Sequence, residues 1–178
     1  MKVMLKNVKL AFANAVFEAR GVNGGPEAFS VTSILPTDHP QIKEIEEATD
    51  QVGQDKWRDK WEGIKKQLTA QSKLPLKDGD MKAQYEGFAG NLFISSRSST
   101  RPVVVDGDKT PLVEADGKIY SGCVANVAIE IWAQDNQYGK RINTKLRGIQ
   151  FVEHGDAFGS GAAMNDDEFE VVTAANFV

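Results

Sequence analysis

The sequence predicts a mainly β protein with a helical insertion, an α+β chain whose strands close into a small antiparallel barrel. Three observations carry this prediction. Alternating apolar residues recur in short runs on both sides of the chain's middle, the period of a strand with one buried face. One long segment, residues 38–72, switches to three- and four-residue spacing, the period of a helix. Strands and helices do not alternate along the chain, which argues against a parallel sheet built from repeated crossovers.

The first 35 residues read as two strands. Val3, Leu5, Val8 and Leu10 alternate imperfectly, and the shift near Asn7 marks a bulge. A Gly/Asn/Pro loop over residues 21–26 connects this strand to Phe29, Val31 and Leu35 as a hairpin. Asp38 and Gln41 have the spacing of a capping box, with Pro40 in the first helical turn. Ile42, Ile45, Thr49 and Val52 then form one stripe; Trp57, Trp61, Ile64 and Leu68 form another after Gly53. The prediction is two helices, or one bent helix, packed on the protein's own core.

Strands return after Tyr85. Residues 91–97 place Leu92, Ile94 and Ser96 on one face, with Phe93, Ser95 and Arg97 on the other. Val103, Val104 and Val105 read as a short buried strand beyond Pro102, and 106–108 and 115–117 as turns. In the clearest strand, 124–133, Ala125, Val127, Ile129 and Ile131 oppose Asn126, Ala128, Glu130 and Trp132. The last strand, 143–152, carries Asn143, Lys145 and Arg147 on a face that turns apolar at Ile149 and Phe151. The division expected is one domain over 1–158, then a Gly/Ala-rich linker and acidic tail over 159–178.

Composition narrows the function. With 41% hydrophobic residues the chain can bury a core, and no run approaches the roughly 18–20 apolar residues that span a bilayer. The start of the chain does not read as a signal peptide. Cys123 is the sole cysteine, and with two histidines a zinc site is not expected; the thiol reads as buried and structural. No cofactor is expected, since the glycine clusters match neither a dinucleotide fingerprint nor a P-loop. His39 and His154 read as loop residues. The net charge is −4, but Asp166, Asp167, Glu168 and Glu170 sit among residues 166–178 with no base; without them 21 bases face 21 acids instead of 25.

The strongest chemical signal is cationic and aromatic. Residues 138–147 hold Tyr138, Lys140, Arg141, Lys145 and Arg147 with no acid, and Trp132 lies just upstream on the less apolar face of its strand. Arg97 and Arg101 flank a second strand, with Phe93 on the Arg97 face. Cations that follow a phosphate backbone, interleaved with rings on which bases stack, are what a single strand of nucleic acid requires. Two other classes fit parts of the pattern. Asp106, Asp108 and Asp116, with Glu114 nearby, suit a metal-dependent nuclease. An RNA-binding or structural interaction module would use the same basic strand.

Several runs carry a family resemblance. Residues 120–123 (YSGC), 130–143 (EIWAQDNQYGKRIN), 146–151 (LRGIQF) and 155–158 (GDAF), supported by 10–14 and 35–40, resemble the bacteriophage single-stranded DNA-binding proteins formerly catalogued as a domain of unknown function. The resemblance covers most of the chain. It implies an OB-fold, sequence-independent binding of single-stranded DNA in phage replication, recombination or repair, and no catalysis. It places the protein in the cytoplasm of the infected host, without a membrane partner. It also implies a tail, here Asp166, Asp167, Glu168, Phe169, Glu170 and Phe177, that contacts phage proteins or shields the groove; in this chain Phe177 is penultimate and the acids lie upstream.

Overall fold

The computed structural model describes residues 1–21 and 24–159. The linker from residue 160 and the tail residues Asp166, Asp167, Glu168, Phe169, Glu170 and Phe177 lie outside the described residues. Among the described residues seven strands form one sheet: β1 (Lys2–Arg20), β2 (Ala28–Pro36), β3 (Lys77–Asp78), β4 (Asn91–Ser98), β5 (Val103–Val105), β6 (Val124–Asn136) and β7 (Gly139–Glu153). Two helices, α1 (Ile42–Trp57) and α2 (Trp61–Ala70), lie between β2 and β3.

Five strands close on themselves. β1 pairs with β2 and β6, β2 with β4, and β6 with β7, all antiparallel; β4 then meets β7 in parallel at Arg97 and Lys145. This closed barrel is the OB-fold. β5 joins the outer edge of β7, also in parallel. The barrel is therefore antiparallel apart from the pair that closes it. Leu5, Val8, Leu10, Val31, Leu35, Ile94, Val127, Ile129, Ile131 and Leu146 fill its interior, each almost wholly buried.

Bulges in β1 and β7 shape the barrel. At Asn7, with φ of 53°, the β1–β6 register slips between Leu5 and Val8, as the broken alternation predicted. The exposed backbone there is recaptured by the entrance of α1. His39 Nε2 donates to the Lys6 carbonyl at 2.7 Å, and the Lys6 N–H donates to Gln41 Oε1 at 2.6 Å. Gln41, not Asp38, precedes the first helical residue, so the predicted capping box does not form; its side chain is used on β1 instead. In β7, Gly148 pairs with Ala128 but Leu146 pairs with Ile129, leaving Arg147 as the extra residue. That bulge is why one sequence register is polar before residue 147 and apolar after it.

The helical segment packs against β6 and β7. Gly53 is not its break. The turn comes at Arg58, whose φ of 53° and ψ of −126° end α1, and Trp61 folds back so that a Cβ on Gly53 would lie 2.4 Å from its ring. Trp57 and Trp61 stack at 5.7 Å and are both buried. The Trp57 ring N–H donates to Asp135 and fastens the bend to the β6–β7 hairpin, while that of Trp61 donates to Asp50 within α1. β5 departs from expectation too: Val104 is buried, whereas Val103 is exposed on the edge. No helix among the described residues is long and apolar enough to cross a membrane.

Candidate nucleic-acid interface

The outer face of β4 is covered at one end and open at the other. Phe93 is only 2% exposed, packed with Ala11, Ile34 and Phe88 in a small cluster outside the barrel. The predicted stacking role for Phe93 is therefore corrected: Phe88 rests against it at 5.3 Å, and no face of the ring is open to a base. Ser95 and Arg97, two and four residues on, are exposed. The β4–β7 closure sets Arg97 beside Lys145, and across β7 the cross-strand neighbour of Asn143 is Trp132.

These residues line a groove of about 790 Å³, walled on its far side by Pro75 and Lys77. Trp132 is 44% exposed, in contrast to the two buried tryptophans. Among the described residues its Nε1–H has no protein acceptor. A large ring open to water on one face is a platform for stacking. The adjacent Asn143 amide donates to Gln134 Oε1 at 2.8 Å, bracing the strand pair beside the ring.

The groove is cationic. Arg97, Arg141, Lys145 and Lys77 line it, opposed by Glu27 and Glu130. Among the described residues neither Arg141 nor Lys145 has an acidic partner, and Arg141 Nε is buried without an acceptor. Burial, together with Arg141 and Lys82 nearby, lowers the Lys77 pKa from 10.5 to about 8. An ammonium held in that state gains from any anion that enters. Arg97 is positioned by donating Nη2–H to the Pro26 carbonyl at 2.7 Å.

The other predicted residues fall outside this cluster. Tyr138 is 79% exposed at the tip of the β6–β7 hairpin, next to Lys140, which pairs with Asp135 at 3.7 Å. Arg147, on its bulge, pairs with Glu130 at 3.1 Å. Arg101 lies apart from the groove; it donates to the Phe17 carbonyl at 2.6 Å and covers the Phe29 ring at 5.1 Å. Lys77 is the residue that sequence reasoning missed. Leu74 and Leu76 alternate with Lys73 and Lys77, so the signal was a strand-like period too short to stand out.

The acidic turns are committed to local structure. Asp106 binds Lys118 and the Gly107 N–H, which hold its carboxyl below the usual range. Asp108 accepts from Thr110 N–H at 2.9 Å and Asp116 from Val113 N–H at 2.8 Å. Among the described residues no group of His, Cys, Asp and Glu could hold a metal ion. Cys123 is buried, and desolvation raises its thiol pKa. His154 stacks on Tyr120, and His39 supports the bulge.

A closed five-strand barrel with an open cationic groove and an exposed tryptophan has the make-up of nucleic-acid-binding proteins of the OB-fold class. Comparison with known proteins makes the assignment particular. The chain belongs to the family described as the ssDNA-binding protein of Enterobacter phage Enc34, whose model matches residues 1–177. Protein p50 of Acyrthosiphon pisum secondary endosymbiont phage 1 is 37% identical over 98% of this chain and 96% of its own length. The single-stranded DNA-binding protein from bacteriophage Enc34, solved in complex with ssDNA, superposes with a TM-score of 0.74 at 28% identity, covering 89% of each chain. Gp2.5, the single-stranded DNA-binding protein encoded by bacteriophage T7, shares the fold at a TM-score of 0.60 and 12% identity, over 97% of this chain and 99% of its own.

Proposed function

We propose that this protein binds single-stranded DNA without sequence preference, in the cytoplasm of an infected bacterial host, during phage DNA replication, recombination or repair. The observation that carries the proposal is Trp132, exposed in a groove whose cations outnumber its acids. Trp132 stacks a base, while Arg97, Arg141, Lys145 and Lys77 meet the phosphates on either side. Tyr138 stacks a further base where the strand leaves along the hairpin. Lys140 and Arg147 act second, since a phosphate must first draw them from Asp135 and Glu130. Phe93 and Arg101 take no part. Asp166, Asp167, Glu168, Phe169, Glu170 and Phe177 shield the groove or dock phage proteins.

Binding without sequence preference follows if stacking and charge carry the affinity. Stacking on a ring and neutralising phosphates are available to every base, so affinity arises without discrimination. The test is fluorescence anisotropy of a labelled 30-nucleotide single strand, its duplex and the matching RNA across a salt series. Single-strand binding should weaken linearly in log salt, with a slope of about −3 if the four groove cations each neutralise a phosphate at about 0.7 per contact. Duplex binding should be far weaker. Absence of single-strand binding at low salt would overturn the proposal, and equal affinity for RNA would remove its restriction to DNA.

A further inference from the structure

The groove does not end at β4. Beyond Arg97 a second depression of about 820 Å³ crosses β2 and β1, and the two share Glu27, Ser95 and Arg97 along their border. At its far side stands Phe12, a non-glycine residue with φ of 51° in the middle of a strand. The β1–β2 register is interrupted between Ala11 and Ala15, and Phe12 is 39% exposed. Strained backbone of this kind persists where the surroundings enforce it, and such positions cluster at binding sites. Tyr85, 46% exposed, meets Phe12 edge to face at 5.1 Å. Lys82 Nζ lies 5.2 Å from the centre of the Phe12 ring.

We infer that Phe12 and Tyr85, with Lys82, form a second base-stacking platform, so that one DNA strand runs from Trp132 across Arg97 and over β2 to Phe12. The inference rests on the single-stranded DNA reading and extends it to the opposite end of the groove. Two exposed rings locked edge to face present a fixed aromatic surface, as stacking requires. Lys82 lies over the Phe12 ring, so an incoming base displaces its ammonium from that face, and the charge then meets the phosphate linked to the base. Arg97, at the border of both depressions, serves the linkage between the two platforms. Of the acids along the second depression, Glu18 is paired with Arg20, and Glu27 sits at the shared border.

The test is the length dependence of affinity for oligothymidylates, read by anisotropy on the full-length protein and on three variants. In the native protein, affinity should rise with length until a strand reaches both platforms. In Phe12→Leu/Tyr85→Leu, which keeps apolar contacts but removes both rings, the rise should stop sooner and long strands should bind about tenfold more weakly, roughly one stacked base. Lys82→Gln, at a partly buried site, should weaken long strands and reduce the salt slope by about 0.7. If both variants reproduce the native length dependence while Trp132→Ala weakens binding, the second platform is wrong and the DNA reading stands. If the native protein binds no single strand of any length, both fall.

Discussion

In the proposed interface, Trp132 offers an exposed apolar surface and Lys77 a charge held at a disadvantage. Truncating Trp132 to alanine removes an exposed ring, so it should weaken single-strand binding by about 1–3 kcal/mol while leaving thermal stability nearly unchanged. A large loss of melting temperature would instead make Trp132 a packing residue. Lys77 gives a pH signature. Its folded pKa of about 8, set chiefly by burial and then by Arg141 and Lys82, means that a bound phosphate must restore a proton as pH rises past that value. Affinity should therefore fall between pH 7 and pH 9, and Lys77→Gln should bind more weakly at pH 7 with a flatter profile. Stability moves the opposite way. The unfolded lysine keeps its proton to about 10.4, so between that value and the folded pKa the unfolded state binds more protons, and this residue's contribution to stability increases with pH.

The helical segment shows how an element can be legible while its joints are not. The stripes through Ile45, Thr49, Trp57, Trp61 and Leu68 announced helices on a core, and these residues are buried. Gly53 looked like the break because glycine weakens a helix. Its actual use is steric, since the Trp61 ring occupies the space of a side chain. Gly53→Ala should destabilise the fold by about 1–3 kcal/mol through overpacking. Arg58 makes the turn with a backbone that glycine adopts more readily, so Arg58→Gly should raise the melting temperature, worth about 1 kcal/mol of relieved strain. No periodicity marks a single residue in an unusual conformation, and Phe12 escaped notice for the same reason. The β6 alternation, by contrast, was plain in the sequence because one face of that strand lines the core along its length. Phe93 failed as a predicted site residue because its cover, Phe88, comes from an irregular stretch whose packing no period reveals.

At the scale of the whole molecule, the groove exists because β4 and β7 meet in parallel at Arg97 and Lys145, a pairing between residues 48 positions apart. Sequence patterns placed cations on both strands; only closure of the barrel makes them neighbours and separates them from Arg101. The same closure concentrates positive charge on one side of a chain whose total is −4. Residues 166–178 supply four acids and no base, and their removal leaves 21 bases against 21 acids. In the proposed shielding role, tethering gives them an effective concentration far above that of a free peptide, and salt screens their attraction to the groove over a Debye length of roughly 8 Å. Truncation after Asn165 should therefore raise single-strand affinity several-fold at low salt, and the advantage should shrink steadily as salt screens the tail. Anisotropy on the two forms across one salt series checks this: the truncated protein should show the steeper slope, because fewer of its groove cations are neutralised before DNA arrives. Identical curves would exclude shielding and leave protein docking as the tail's role.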